Sequence, residues 1–199
     1  MKDGDKMNYP NGVKKDSKTN SVLKKLSHKN RGMTLESDIN SSNEYYRSID
    51  KAYIYKKPTP IQITKVDYPS RDKTVIKEAF FTTPSTTDYN GLYKGYYIDF
   101  EAKETKSKTS FSLNNIHPHQ IKHIENINNH QGIAFLIVRF TTLGKTYLLE
   151  GKVFIDFVNN TDRKSIPLDF FEKYGHLIKD GYNPIIDYLK IVDKLIGGI

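Results

Sequence analysis

Apolar residues recur along this chain at two periods. Leu35, Ile39, Tyr46 and Ile49 share one side of a 3.6-residue repeat, so residues 34–48 read as a helix. Ile121, Ile124 and Ile127 follow Pro118 and mark a second helix. Ile185, Ile186, Leu189, Val192 and Leu195 give a third, opened by Pro184. Strand patterns fall at 51–55, 61–66, 75–82, 95–103, 133–140 and 146–150. Residues 153–158 fit either a helix or a strand, and Tyr89-Asn90-Gly91 reads as a turn. The order of helix, strands, helix, strand and small helices predicts an α/β domain around a mixed sheet. No internal repeat is present.

The runs at 61–66 and 75–82 stand apart from the rest. Pro58 and Pro60 break the chain before them, and Asp67, Pro69, Ser70 and Asp72 make a turn between them. This predicts an excursion at about 58–83, a hairpin or stalk leaving the domain. Lys56, Lys57, Lys65, Arg71, Lys73 and Lys77 lie on or beside it, interleaved with Tyr68, Phe80 and Phe81. Cations suit backbone phosphates and aromatic rings suit exposed bases, so this is a candidate DNA surface. An ordinary hairpin with its aromatics packed on the core is the plainer reading.

Composition narrows the classes. At 199 residues the chain fits one domain and can bury a real core. The longest apolar run, Ile133 to Val138, is far short of the roughly 20 residues of a membrane span. The first thirty residues lack the apolar stretch of a signal peptide, so a cytoplasmic protein away from membranes is expected. With no cysteine, disulfides, thiolate metal sites and thiol nucleophiles are excluded. No phosphate-binding or dinucleotide glycine pattern occurs. The net charge is +8. Residues 1–31 hold nine Lys or Arg against three Asp, so +6 of it lies there. Residues 1–30 therefore read as a basic, disordered arm, fit for a polyanion or simply a solvated tail. Residues 31–199 make the folded domain.

The strongest chemical signal is Asp88 followed by Asp99-Phe100-Glu101-Ala102-Lys103. Glu101 and Lys103 are two apart on a strand and point to one face, and a hairpin would bring Asp88 beside them. Two carboxylates and an ammonium can hold a hard divalent cation such as Mg²⁺ and serve phosphodiester hydrolysis. Lys103 can stabilise transition-state charge. The spacing resembles the acid–Glu–x–Lys set of the PD-(D/E)xK nucleases, though Glu-x-Lys alone is common on solvated strands.

Longer blocks carry a more specific resemblance. Arg31-Gly32-Met33-Thr34-Leu35-Glu36, Lys57-Pro58-Thr59-Pro60-Ile61-Gln62 and Pro84-Ser85-Thr86-Thr87-Asp88-Tyr89-Asn90-Gly91 resemble the RecU family. Tyr97 to Lys106, His119-Gln120-Ile121 and residues 187–196 are similar too. RecU proteins are Holliday junction resolvases of low-GC Gram-positive bacteria. The run from Met7 to Gly12 looks like the usual family start, so residues 1–6 read as an extension or Met7 as the true start. The resemblance implies a restriction-endonuclease-like core, a mixed β-sheet flanked by helices, with a protruding stalk. It implies a homodimer acting on four-way junction DNA, with recombinase or branch-migration proteins as partners. It also implies Mg²⁺, with Mn²⁺ a substitute, held by Thr86, Asp88, Glu101 and Gln120, and Lys103 as transition-state stabiliser.

Other candidates rank behind. Glu36, on the first helix, is an additional acid or a helix-terminal carboxylate. Asp99 shares Glu101's face and could assist, or bind Lys94 or water. His117, His119 and His123 look zinc-like but have no evident further ligand. The rival functions are a duplex or flap endonuclease on the same core, and a non-catalytic protein that bridges DNA or modulates a recombinase.

Overall fold

The computed structural model describes residues 34–70, 73–81 and 86–197. The expected arm at 1–30, residues 31–33, Arg71, the side chain of Lys73 and residues 82–85 lie outside the described residues. Helix α1 (Leu35–Ser48) leads into β1 (Tyr53–Lys56), then β2 (Ile61–Ser70), β3 (Lys73–Phe81), β4 (Tyr89–Tyr93) and β5 (Tyr96–Thr105). Short β6 (Ser110–Ser112) and a 3₁₀ turn precede α2 (Pro118–Asn129), β7 (Ile133–Phe140) and β8 (Lys145–Glu150). Helix α3 (Gly151–Asn159), β9 (Ser165–Pro167), α4 (Leu168–Tyr174), β10 (His176–Ile178) and α5 (Leu189–Ile196) complete the order. Six strands form one sheet in the order β1-β4-β5-β7-β8-β10. Only β5 and β7 run parallel in it, so the sheet is mixed, as the alternation of strand and helix signals predicts. None of the described helices is long and apolar enough to cross a membrane.

Strand β7 is apolar on both faces because both faces are covered. Ile133, Phe135 and Ile137 join a core with α1 and α5, through Leu35, Ile39, Leu189 and Val192. Ala134, Leu136, Val138 and Phe140 join a second core with α2, α3 and α4, through Ile124, Phe154 and Phe171. Across three adjacent strands Tyr89, Phe100 and Phe135 stack ring on ring, 4.8 Å apart at each step. Tyr188 closes the stack from above, 5.1 Å from Phe100. Strand β5 thus gives Ile98 and Phe100 to the first core, and its odd-numbered residues face the other way, toward α2.

Helix α1 is tied to the rest by polar groups at both ends of its buried face. Glu104 Oε1 accepts from Leu35 N–H at 2.8 Å, satisfying one donor of the first turn. Buried Asp38 receives Arg139 at 2.6 Å. Ser42 Oγ donates to the Asp38 carbonyl and accepts from Ile186 N–H. Tyr46 donates to Asp187 at 2.9 Å.

Two expectations are corrected, and one open choice is resolved. Asn90-Gly91 is not a turn; both lie inside β4. Gly91 is there because β1 passes so close that a Cβ would sit 2.1 Å from the Tyr53 carbonyl oxygen. The turn is Lys94-Gly95, both at positive φ (50° and 84°), the geometry of a two-residue hairpin loop. The last helix starts at Leu189 and not at Pro184. Ile185 and Ile186 are held extended by Gly181, Asp180 and Ser42, so their backbone groups are spent outside a helix. Residues 153–158 lie within helix α3.

Among the described residues, strands β2 and β3 pair with each other and with no other strand. Their large side chains face solvent, from Ile61 and Tyr68 to Phe80 and Phe81, the last 82% exposed. The plainer expectation, aromatics packed on the core, is thereby excluded for Tyr68, Phe80 and Phe81.

Replacing Phe135 by Ala removes the ring at the β7 end of the stack, and the site cannot collapse across three paired strands. Urea unfolding should show a loss of about 3–5 kcal/mol.

Candidate active site

Four alternate residues of β5 line the face toward α2: Tyr97, Asp99, Glu101 and Lys103. The main chain of β5 buries Asp99 and Glu101 completely, both at 0% exposure. A buried carboxylate must find donors or give up its charge. The two acids meet that demand differently.

Asp99 is saturated. Lys57 Nζ lies 2.7 Å from its Oδ2, Tyr97 donates at 3.1 Å and His123 Nε2 is 3.2 Å away. Thr87 donates to Oδ1. Lys94, the partner suggested by sequence, instead pairs with Asp193 at 2.6 Å.

Glu101 is not saturated. Its Oε2 accepts from Asp88 N–H at 3.1 Å. Its Oε1 makes an ion contact with Lys103 but no well-directed hydrogen bond. Asp88 completes the group: its Oδ2 accepts from Ala102 N–H at 3.2 Å, so the two carboxylates are laced to each other's main chains. Burial, then the charge of Asp88, push the Glu101 carboxyl up to about 7, against the opposing pull of Lys103. Lys103 is 28% exposed and reaches from Glu101 toward solvent.

Tyr89 links this group to helix α1. Its hydroxyl donates to Asn40 Oδ1 at 2.9 Å and lies 3.3 Å from the Glu36 carbonyl. Burial raises its pKa, and the charges of Glu36, Asp88 and Glu101 raise it further. Glu36 therefore stands at the rim of the same acidic end of the sheet, with its own carboxylate paired to Lys56.

The remaining sequence candidates are placed as follows. Thr86 is exposed at the start of the described segment, its Oγ1 accepting from Lys57 at 3.0 Å. Gln120 is buried at the start of α2, where its Oε1 accepts from His117 N–H at 3.0 Å as a helix cap. Lys65 and Lys77 are exposed on the β2–β3 hairpin, and Lys77 is 3.5 Å from Asp67. Lys57 is turned inward, away from the hairpin's surface. His117 and His119 stack ring to ring, 5.4 Å apart. Among the described residues no three His, Asp or Glu side chains gather as a metal cage.

Sequence reasoning missed the network around Asp99: Lys57, Thr87, Tyr97 and His123. The signal was available in part. A carboxylate two residues before Glu101 on one strand shares its buried face, and a buried carboxylate needs a cation.

Comparison with known proteins fits this geometry. The family model for recombination protein U, RecU, matches residues 30–194. A Holliday junction resolvase RecU from Bacillus mycoides is 50% identical over 94% of this chain and 96% of its own length. One from a Geobacillus species is 57% identical over 83% of this chain and 84% of its own. The chain belongs to the RecU family. Among solved structures, Archaeoglobus fulgidus Hjc, a Holliday junction resolvase, aligns with a TM-score of 0.41 at 8% identity, covering 70% of this chain and 94% of Hjc. That likeness is too distant to bear on the site.

The Glu101 proton gives a direct check. The unfolded chain releases it near 4.5 and the folded protein only near 7. In EDTA, stability should therefore fall as pH rises from about 4.5 to about 7, then level off. Glu101→Gln should remove that decline and be more stable than the native protein at pH 8 by on the order of 2–3 kcal/mol. Urea midpoints at pH 5 and pH 8 measure it.

Proposed function

We propose that this protein is a Mg²⁺-dependent endonuclease that resolves four-way (Holliday) DNA junctions in recombination and repair. The observation that carries the reading is the buried pair Asp88 and Glu101 with Lys103 beside them, in a chain of the RecU family. Its relatives bear the name Holliday junction resolvase.

The residues fit a hard divalent cation. Glu101 Oε1 is buried, negatively polarised and short of hydrogen bonds, and Asp88 is laced to the same strand. Carboxylate oxygens are the ligands Mg²⁺ and Mn²⁺ prefer. Thr86 and Gln120 would add neutral oxygens. Gln120 Oε1 already caps α2, so it would be the weakest of the four. When bound, such an ion offsets phosphate charge and makes water a better nucleophile at neutral pH.

The chain's own groups have separate tasks. Asp88 and Glu101 would be the residues that hold the cation. Burial, and after it their mutual repulsion, raise the Glu101 pKa, and both would favour a cation that enters between them. Lys103, partly exposed, places an ammonium where a phosphate oxygen gains charge in the transition state. Lys56 stands at the rim, paired with Glu36. The β2–β3 hairpin offers Tyr68, Phe80 and Phe81 to unstacked bases and Lys65 and Lys77 to phosphates.

Two cuts at symmetry-related phosphates need two related sites, and a C₂ homodimer supplies them. A cytoplasmic protein is the reading that goes with a chromosomal DNA substrate. Recombinase and branch-migration proteins are its expected protein partners.

Asp88→Asn and Glu101→Gln should abolish Mg²⁺-dependent nicking of a four-way junction while leaving band-shift affinity in EDTA within a few-fold. Lys103→Ala should cut the single-turnover rate by about 10²–10³ with little change in binding. A mutant of Asp88 or Glu101 that still cuts normally would remove the proposed site.

Replacing about 62–82 by a short Gly-Ser loop should weaken four-way junction binding much more than linear duplex binding. The metal residues lie outside this segment, so circular dichroism and sizing should show a folded dimer. Competition binding of the two DNAs gives the outcome. An equal loss for both would make the hairpin a general phosphate clamp.

A further inference from the structure

Lys57 sits on the connection that follows β1, and three consecutive residues of the site depend on it. Its main-chain N–H donates to the Asp88 carbonyl at 2.8 Å. Its ammonium donates to Thr86 Oγ1 at 3.0 Å and Thr87 Oγ1 at 2.7 Å. The third ammonium proton goes to buried Asp99, 2.7 Å away. A lysine has three such donors, and all three are used. The Lys57 side chain is 14% exposed and Asp99 not at all.

We infer that Lys57, anchored on Asp99, is a positioning residue that fixes the 86–88 segment against β5 and thereby sets the spacing of Asp88 to Glu101, instead of contacting DNA. The inference rests on the proposed nuclease reading for its purpose, but its geometry stands without it. Asp99 and Glu101 lie two residues apart on one face of one strand. A segment held at Asp99 is therefore registered to Glu101. Thr87 completes the clamp by donating to Asp99 while accepting from Lys57. Tyr97 and His123 share with Lys57 the same oxygen of Asp99, Oδ2. A phosphate competing for the Lys57 ammonium would have to leave a buried carboxylate without its lysine cation, which costs more than an exposed phosphate contact returns.

The test uses the full-length protein with Lys57→Met, which keeps the stem and removes the charge, and Thr87→Val. Mn²⁺ affinity is measured by titration calorimetry without DNA. Junction affinity is measured in EDTA over a salt series. Cleavage is followed against Mg²⁺ concentration. Lys57→Met should weaken Mn²⁺ binding at least tenfold and raise the Mg²⁺ needed for half-maximal cleavage by a similar factor, with the rate at saturating metal recovering to within a few-fold. Junction affinity should stay within twofold and its salt slope should not change.

Weaker junction binding with a salt slope smaller by about one and unchanged Mn²⁺ affinity would make Lys57 a phosphate contact and overturn the inference. Lower thermal stability with unchanged metal affinity and metal requirement would make it merely structural, which also overturns it. If Lys57→Met does not fold, Thr87→Val decides: it leaves Lys57 and Asp99 paired and should weaken Mn²⁺ at least threefold. Native protein that binds no Mn²⁺ would overturn both readings. Native protein that binds Mn²⁺ but never cuts a junction would overturn the proposed function alone, and the calorimetry of the variants would still judge the clamp.

Discussion

Strand β5 has to bury two carboxylates two residues apart while its other face supplies Ile98 and Phe100 to the core. Neither acid can move to solvent without turning those apolar groups out of the interior, because side chains on a strand alternate strictly. Everything around the site answers that constraint. Lys57 comes in from the connection after β1, Thr87 from the segment before β4, His123 from α2 and Lys103 from β5 itself. For Asp99 the answer is complete. For Glu101 it is partial, and the incomplete answer leaves a carboxylate able to take a cation. Stability is lower where chemistry is available.

The same strand explains why the sheet is mixed. A parallel partner, β7, lies against β5 in register from Ile98 with Ile133 to Thr105 with Phe140. A parallel pair needs a crossover, and that crossover contains α2. His123 therefore reaches the acidic face of β5 as a result of the topology. On the opposite side β4 returns through the tight Lys94-Gly95 turn, which sets Tyr89 opposite Phe100 and so places Asp88 just beyond the end of the pairing, beside Glu101. The ring stack and the acidic pair are two faces of one register.

Much of this was legible in the residues. Periodic apolar positions marked α1 and α2, alternation marked β5, and an unbroken apolar run marked β7, because its two faces are both buried. The short elements β6, β9, α4 and β10 were not marked; three to seven residues are too few to show a period. Gly91 misled, since a glycine admitting a neighbouring backbone looks the same in sequence as one opening a turn. Asp88, Glu101 and Lys103 could be grouped from spacing alone. Thr86 and Gln120 rested on family resemblance, since a hydroxyl residue and an amide carry no chemical signature of their own. Lys57 was grouped with the surface cations of the hairpin, because charge in a sequence does not say which way a side chain turns. The structure turns it inward.

The ties between α1 and the segment at residues 186–192 have a consequence for how the protein is made. Tyr188 covers Phe100 from above, and Ile186 bonds Ser42 across 144 positions of sequence. Residues 186–192 leave the ribosome about 85 positions after Glu101. At 5–20 residues per second that is roughly 4–17 s. During that interval the apolar side of β5 has α1 beside it but neither Tyr188 nor α5, so the strand that aligns the acids is only partly covered. The nascent chain carries Asp88 and Glu101 before it has all of the packing that aligns them.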